Sequence, residues 1–151
     1  MIRDVLAGDI ESVTEIERAS FKKPWSKEDF EAEIDRHRSI FKLLEDEGEI
    51  CGYFVVYTVL DESELANIAV SPKHRGKGCG RLLLAEAIKA AKKASVMFLE
   101  VAVDNFSAVG LYESFGFEKV GYIKDYYGQG SDAYIMKLSI IDEVRDVEKQ
   151  Y

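Results

Sequence analysis

Apolar residues recur along the chain with two different periods. Within residues 7–21, Ile10, Val13 and Ile16 follow the three-to-four-residue spacing of an amphipathic helix. Residues 96–103 instead read VMFLEVAV, an almost continuous apolar run that is typical of a central strand covered on both faces. Because both periods occur in one short chain, the pattern indicates a domain that combines helices with a sheet.

The pattern predicts a mixed fold of the α/β type (α+β mixed), with about seven strands and about four helices. Strands are expected within residues 2–5, 39–59, 63–70, 95–103, 117–127 and 132–140, and a turn at Glu47-Gly48 divides the second segment into two strands. Helices are expected over residues 7–21, 26–38, 78–93 and 104–116. Since no repeat or linker interrupts the pattern, we expect one domain over residues 1–141, followed by a polar tail over residues 142–151.

Local residue types mark several helix ends. Ser26, followed three residues later by Asp29, resembles a capping box at the start of the second helix. Asn105 is a favourable N-cap for the fourth helix, and Gly116 can end that helix in a left-handed conformation.

Composition narrows the possible partners. The chain has 151 residues and a formal net charge of -8, so it lacks the basic surface that general nucleic-acid binding requires. It contains no run of 18 apolar residues, and its first residues lack the apolar core of a signal peptide. Cys51 and Cys79 are too few for a disulfide framework and lack the spacing of a zinc site. We therefore expect a cytoplasmic protein with no nucleic-acid, membrane or metal partner.

The turn HRGKGCG at residues 74–80 introduces the third predicted helix, although glycine is a poor helix former. The turn and the residue that follows it carry a cluster of basic residues, namely His74, Arg75, Lys77 and Arg81. The P-loop pattern is absent, and Arg81 stands where a dinucleotide-binding GxGxxG motif requires glycine. What remains is RxxGxG at a helix N-terminus, where backbone N–H groups and the helix dipole favour an anion. Taken alone, the motif also fits an ordinary glycine-rich turn with solvated basic side chains.

Two longer stretches carry a family resemblance. They read LANIAVSPKHRGKGCGRLLL at residues 65–84 and LEVAVDNFSAVGLYESFGFEKVGYIKDYY at residues 99–127. Their order and spacing strongly resemble the GNAT acyltransferase superfamily. Within it, the chain is most similar to the protein N-terminal acetyltransferases, namely the bacterial ribosomal-protein alanine family and its archaeal relatives. The resemblance covers nearly the whole chain and implies the single-domain GNAT fold.

The resemblance implies acetyl-CoA as the cofactor, with coenzyme A as a product. Its pyrophosphate would lie against the backbone of residues 76–81, and its pantetheine arm would pair with the strand before the turn. The residues expected to hold the cofactor are Ile68, Ala69, Val70, Arg75, Gly76, Lys77, Gly78, Cys79, Gly80, Arg81, Asn105 and Ala108. Cys79 replaces an aliphatic residue; it is either a small packed side chain or a thiol activated by the helix N-terminus.

Two residues are expected to carry the chemistry. Glu100 interrupts an apolar strand, so partial burial should raise the pKa of its carboxyl; it is either a paired structural residue or a base. Tyr112 lies beside a helical stripe, expected to be buried, of Ala108, Leu111 and Phe115, where a tyrosine is usually part of the core. The resemblance implies that Glu100 is the general base and Tyr112 the general acid of acetyl transfer.

The acceptor side is expected in two segments. Pro24 and Trp25 precede the second helix, where relatives place one wall of the peptide slot; Tyr126 and Tyr127 occupy the opposing segment. These aromatic residues equally fit a role in covering the ends of the sheet. Glu64 and Asn67, on the strand before the glycine-rich turn, are further candidates for steering a cationic acceptor.

The resulting hypothesis is an acetyl-CoA-dependent N-α-acetyltransferase that acts directly on a protein N-terminus, such as that of a ribosomal protein beginning with alanine. Neither His37 nor His74 stands in a triad-like arrangement, and both are expected to be solvated. Two alternatives stay open: an enzyme for a small amine such as a polyamine, aminoglycoside or amino acid, and a non-catalytic acetyl-CoA sensor. The expected state is a monomer or a weak dimer.

Overall fold

The computed structural model describes residues 1–140; the expected polar tail over residues 142–151 lies outside them. The strands are β1 (Ile2–Asp4), β2 (Ser39–Asp46), β3 (Glu49–Val59), β4 (Glu62–Val70), β5 (Val96–Ala102), β6 (Glu118–Ile123) and β7 (Ala133–Ser139). The α-helices are α1 (Ile10–Ser20), α2 (Lys27–Ile34), α3 (Cys79–Ala90) and α4 (Phe106–Ser114). The expected seven strands and four helices are therefore confirmed within the described residues.

The strands form one seven-stranded sheet in the order β1-β2-β3-β4-β5-β7-β6. The pairs β1/β2, β2/β3, β5/β7 and β6/β7 are antiparallel, whereas β4 and β5 are parallel. The parallel pairing places Glu62 opposite Val96 and Glu64 opposite Phe98. The sheet is thus mixed, as predicted.

The chain divides into two compact units. The first comprises Met1–Tyr57 and Leu65–Ala90; within the described residues, the second comprises Thr58–Glu64 and residues 91–140. The core of the first unit gathers buried residues of β2, β3, β4, α1 and α2, together with Val5, which follows β1: Val5, Ile10, Val13, Ile16, Phe30, Phe41, Leu43, Tyr53, Val55 and Ala69. Tyr53 and Ala69 of this core belong to the strands β3 and β4, which lead to the polar groups of the first unit.

The second unit is organised by alternation along β5. Met97, Leu99 and Val101 are buried, while the intervening residues, Phe98 and Glu100 among them, are only half-buried. The expectation that this strand is covered on both faces is therefore wrong. The second face of the strand carries the Glu100 carboxyl, and a carboxylate is costly to bury fully without a partner.

The capping predictions are confirmed. Ser26 Oγ accepts from the Asp29 N–H at 3.1 Å, and Asp29 Oδ2 accepts from the Ser26 N–H at 2.8 Å. Gly116 has a φ of +97°, and the β2–β3 turn places Glu47 and Gly48 at positive φ. Residue chemistry at these positions predicts backbone geometry well because the interactions are local.

The predicted ends of two helices and one buried stripe differ from the structure. Helix α2 ends at Ile34 instead of near residue 38, because a turn closed by Ser39 N–H and the Arg36 carbonyl follows it. Helix α3 ends at Ala90 instead of residue 93. On α4 the buried residues are Val109 and Tyr112, whereas the residues expected to form the stripe are half-buried: Ala108, Leu111 and Phe115.

No helix within residues 1–140 is both long enough and apolar enough to span a membrane.

Candidate active site

The glycine-rich turn lies in the first unit, between β4 and α3. A single 3-10 turn (Pro72–His74) leaves the strand, and the Ser71 N–H donates to the Cys51 carbonyl of β3 at 2.7 Å. Gly76 and Gly78 then adopt φ values of +77° and +84°, a region that disfavours L side chains. A Cβ at either glycine would meet no other atom within 4 Å, so backbone conformation and not crowding requires glycine here.

The turn leads directly into a helix N-terminus. Helix α3 begins at Cys79, and the Leu82 N–H donates to the Gly78 carbonyl at 3.2 Å. The first N–H groups of a helix have no intrahelical acceptor, and the helix dipole makes this end positive. Because no side chain stands on Gly76 or Gly78, a phosphate could approach this backbone closely. The residues present therefore fit a pyrophosphate group.

The Arg75 side chain makes hydrogen bonds to two other segments of the first unit. Its Nε donates to the Val70 carbonyl at 3.1 Å, and its Nη2 donates to Ser20 Oγ at 3.1 Å. The guanidinium thus connects the end of β4 to the end of α1. We infer that Arg75 shapes the turn in addition to adding positive charge.

The expectation that His74 is solvated is wrong, whereas His37 is exposed as expected. His74 Nε2 lies 3.2 Å from the Glu49 carboxylate, and only 14% of the His74 side chain is exposed. The contact connects the glycine-rich turn to the start of β3. Sequence reasoning missed it because Glu49 lies 25 positions earlier in the chain.

The strand residues before the turn are held close to β3. Ile68 and Val70 are half-buried, and Ala69 is buried in the first core. A Cβ on Gly52 of β3 would lie 2.5 Å from the Ala69 carbonyl oxygen, so glycine permits this close approach. Gly52 is a positioning residue that the sequence analysis did not single out.

The remaining cofactor candidates divide between the two units. Lys77 and Arg81 are exposed, Gly80 and Cys79 are half-buried, and both cysteines are free thiols. In the second unit, Asn105 Oδ1 accepts from the Ala108 N–H at 3.2 Å. Asn105 therefore caps α4, which is one of the two roles expected for it.

Glu100 is placed as its position in the apolar strand predicts. It lies half-buried on β5, and burial is the main cause that raises the pKa of its carboxyl above the ordinary value of 4.5. The negative charge of Glu64 and a hydrogen bond with its carboxyl raise the pKa of Glu100 further. The two carboxyl groups therefore form a like-charge pair on β4 and β5.

Tyr112 is buried in the second unit. Its ring packs on Phe117 with a centroid distance of 5.7 Å, and burial, followed by the Tyr127 hydroxyl, raises the pKa of its phenol. A phenol with a raised pKa keeps its proton at neutral pH. The Tyr112 hydroxyl is therefore protonated at neutral pH.

Tyr126 and Tyr127 accompany Glu100. Their rings meet edge-on with centroids 4.9 Å apart. Burial, with smaller contributions from Tyr126 and Glu100, raises the pKa of Tyr127 to about 12, while burial and the charges of Glu100 and Glu64 raise that of Tyr126. The second unit therefore brings together five predicted residues: Glu64, Glu100, Tyr112, Tyr126 and Tyr127.

Two aspartates build the loop that carries these tyrosines. Asp132 Oδ1 accepts from the Asp125 N–H at 2.8 Å, and Asp125 Oδ1 accepts from the Gly130 N–H at 2.7 Å. The Tyr127 N–H donates to the Ser131 carbonyl. Sequence reasoning missed this framework, although aspartate near glycine is a recognisable turn signal.

Glu64 and Asn67 do not act as a pair. Glu64 is exposed beside Glu100 in the second unit, whereas Asn67 is buried in the first unit. Asn67 Nδ2 donates to Glu17 Oε1 at 2.8 Å. An odd separation along a strand places the two side chains on opposite faces.

Trp25 packs against the first core. Its ring lies 5.3 Å from that of Phe30, and its backbone N–H donates to Glu17 Oε2 at 2.9 Å; Pro24 beside it is exposed. Glu17, which also accepts from the Tyr53 hydroxyl, was not a candidate in the sequence analysis. The sequence feature that could have indicated the burial of Glu17 is its place directly after Ile16, beside the apolar residues of α1 that face the core.

The raised pKa of Glu100 predicts a stability profile. A carboxyl whose pKa is higher in the folded than in the unfolded state stabilises the fold below the unfolded value, about 4.3, and that stabilisation is lost as pH rises through the folded value. We therefore expect Glu100→Gln to raise Tm above that of the unmodified protein at neutral pH, with the difference vanishing at about pH 4. Thermal unfolding across this pH range measures it. Glu62→Gln, an exposed change on β4, should leave the dependence of Tm on pH the same as in the unmodified protein. If Glu100→Gln also leaves the dependence of Tm on pH unchanged, the half-buried environment assigned to Glu100 is wrong.

Comparison with known proteins gives a consistent assignment. The sequence profile of the acetyltransferase (GNAT) family matches residues 10–117. The chain is 38% identical to the ribosomal protein bS18-alanine N-acetyltransferase of Haemophilus influenzae, over 87% of this chain and 90% of the relative. It is 29% identical to an N-alpha-acetyltransferase of Sulfurisphaera tokodaii, over 89% of this chain and 90% of that relative.

The same assignment follows from a solved structure. The crystal structure of the ribosomal-protein-S18-alanine N-acetyltransferase from Escherichia coli superposes with a TM-score of 0.84 at 32% identity and covers 93% of both chains. The family resemblance, the fold and the enzyme class predicted from the motifs are therefore confirmed. Acetyl-CoA is the acetyl donor of this family. The chain belongs to the GNAT acetyltransferase family.

Proposed function

We propose that the protein is an N-α-acetyltransferase that transfers an acetyl group from acetyl-CoA to a protein N-terminus. The observation that carries the proposal is the cluster in the second unit, where a half-buried Glu100 lies among tyrosines that remain protonated. Acetyl transfer to an amine needs a base for the ammonium and an acid for the departing sulfur. This cluster offers one group for each task.

Glu100 acts as the general base. An N-terminal ammonium has a pKa near 8, so a carboxylate with a raised pKa removes its proton more readily than an ordinary one would, directly or through water. The freed amine nitrogen then bonds to the acetyl carbon as the bond from that carbon to sulfur breaks. Acetyl-CoA supplies the activated thioester for this exchange.

Tyr112 acts as the general acid. Its buried phenol is protonated at neutral pH and gives that proton to the departing sulfur, so that coenzyme A leaves as a thiol. The acylated nitrogen then loses its second proton, which returns through water to the Tyr112 phenolate, and Glu100 releases the first proton to solvent. Residues 75–81 bind the pyrophosphate through backbone N–H groups and basic side chains. In the first unit, the strand residues Ile68, Ala69 and Val70 pair with the pantetheine arm. In the second unit, the cofactor candidates are Asn105 and Ala108 at the start of α4.

The proposed acceptor is the N-terminus of a ribosomal protein that begins with alanine. The names of the Haemophilus influenzae and Escherichia coli relatives support this choice, as does the archaeal N-alpha-acetyltransferase. The acceptor candidates of the first unit are Pro24 and Trp25. Those of the second unit are Tyr126 and Tyr127, beside which the charges of Glu64 and Glu100 attract the acceptor ammonium. We propose a cytoplasmic location for the reaction, where ribosomal proteins are made.

A small-amine acceptor is the second candidate. Two neighbouring carboxyl groups, Glu64 and Glu100, attract a compact cation, and a polyamine carries several cationic groups. Such a substrate would need no aromatic wall beyond the tyrosines. The two functions therefore differ in whether the acceptor must have a peptide backbone.

An acceptor panel separates these functions. Release of coenzyme A is measured with peptides beginning with Ala, Ser, Met or Gly, with N-blocked peptides containing lysine, and with polyamines. We expect turnover on free peptide N-termini, and fastest with alanine. Turnover on polyamines alone would replace the proposal with the small-amine function, and acetyl-CoA binding without turnover would indicate a sensor.

A further inference from the structure

A buried carboxylate in the first unit accepts hydrogen bonds from three different segments of the chain. Glu17 lies on α1 and is 2% exposed. Its Oε1 accepts from Asn67 Nδ2 of β4 at 2.8 Å and from the Tyr53 hydroxyl of β3, and its Oε2 accepts from the Trp25 N–H at 2.9 Å. A charged acceptor is costly to bury, and here its cost is offset by three donors.

The same residue holds both ends of the segment between α1 and α2. The Phe21 N–H donates to the Glu17 backbone carbonyl at 3.1 Å, and the Trp25 N–H donates to the Glu17 carboxylate. Residues 21–25 contain no helix or strand, and most of their side chains are exposed. Beyond them the Ser26–Asp29 capping box fixes the start of α2.

The three donors differ in how else they are held. Tyr53 and Asn67 lie in strands of the sheet, where backbone pairing fixes their positions. Trp25 has no such ladder; its ring rests on Phe30 at 5.3 Å while its backbone N–H is bound to Glu17. Removing the carboxylate should therefore free the 21–25 segment while the two strands stay in place.

We infer that Glu17 is a positioning residue for the acceptor, which holds Trp25 and Pro24 where the peptide N-terminus binds. The inference rests on the proposed function, since it takes residues 24–25 as part of the acceptor site. Glu17 thereby controls the affinity for the acceptor, although it is distant in sequence from Glu100 and Tyr112. Glu17 itself touches neither acceptor nor cofactor in this account.

Substitution of Glu17 by methionine tests the inference. Glu17→Met keeps the length of the side chain and removes both acceptor oxygens. We expect the KM for an alanine-initiated peptide to rise at least ten-fold, with kcat and the KM for acetyl-CoA each changing less than about three-fold. Hydrogen exchange of the Trp25 amide should quicken, because its acceptor is gone.

Glu33 provides the matched control. It is also a buried carboxylate of the first unit, and it accepts from the Tyr57 hydroxyl and from Ser39 Oγ, with Arg36 beside it. These partners lie on β3, at the start of β2 and just after α2, and none of them belongs to residues 21–25. Glu33→Met should lower Tm to a similar degree without changing the peptide KM.

The outcomes separate the inference from the proposed function. If the unmodified protein acetylates no peptide N-terminus, the proposed function is wrong, and this inference falls with it. If the unmodified protein is active, an unchanged peptide KM in Glu17→Met, or an equal rise in Glu33→Met, overturns the inference alone. Should Glu17→Met fail to fold, Glu17→Gln replaces it; the weaker neutral acceptor should raise the peptide KM several-fold and quicken Trp25 exchange, and no change in either would overturn the inference.

Discussion

Glu100→Gln is expected to lower kcat by about a hundred-fold to a thousand-fold, the range typical for the loss of a positioned general base. Glutamine preserves the size of the side chain but cannot take a proton from the ammonium. Because the change concerns proton transfer and not phosphate binding, the dissociation constant of acetyl-CoA should change less than two-fold. Steady-state rates with an alanine-initiated peptide, combined with calorimetric titration of acetyl-CoA, measure both quantities.

The pH profile makes this test specific to a base. The rate of the unmodified enzyme should rise with pH as Glu100 loses its proton, in a range above the ordinary carboxyl value because burial and Glu64 raise the pKa of Glu100. This limb should be absent in Glu100→Gln. Glu62→Gln, an exposed β4 variant, should retain both the rate and the limb. A kcat for Glu100→Gln within a few-fold of the unmodified rate would remove Glu100 from the mechanism.

Features set by neighbouring residues could be predicted from the sequence. The Ser26–Asp29 box, the Asn105 cap and the left-handed Gly116 each depend on contacts within three residues, so residue type alone indicates them. The same holds for the raised pKa of Glu100, whose main cause is its place in an apolar strand. Glu100, Asn105 and Gly116 also lie in one of the two stretches that carry the family resemblance.

Features set by distant contacts could not be predicted. Glu17 meets Tyr53 across 36 positions and Asn67 across 50, and nothing near residue 17 indicates either partner. His74 was expected in solvent, since its pairing with Glu49 requires knowledge of how β3 meets the turn. The prediction that β5 is covered on both faces was wrong for a related reason. An apolar run in the sequence does not reveal that Glu100 of this strand lies beside another carboxyl group, that of Glu64 on β4.

The two carboxylate systems illustrate how stability and function diverge in this fold. Glu17 is buried with three donors, an arrangement in which a charge is well satisfied. Glu100 has a raised pKa, so its ionised form opposes folding at neutral pH. A group that costs stability in its active protonation state is typical of a catalytic position. The contrast explains why we assign positioning to Glu17 and chemistry to Glu100.

Gly78→Val is expected to weaken acetyl-CoA binding by about a hundred-fold or more. A β-branched residue does not tolerate a φ of +84°, so the turn must change its conformation. The backbone N–H groups then no longer converge on the pyrophosphate; losing two bonds to a charged group, at about 1.5–3 kcal/mol each, exceeds the about 2.7 kcal/mol that corresponds to a hundred-fold change. Titration calorimetry with acetyl-CoA measures the loss.

Gly48→Val separates phosphate binding from backbone strain. Gly48 has a φ of +80° in the β2–β3 turn, and a Cβ there also meets no atom within 4 Å. The two valine variants should therefore suffer a comparable loss of stability from their positive φ. Only Gly78→Val should lose acetyl-CoA, because only its turn opens a helix N-terminus. Retained affinity in Gly78→Val would place the phosphate site elsewhere, and an equal loss in Gly48→Val would mean that destabilisation, not the geometry of the turn, governs binding.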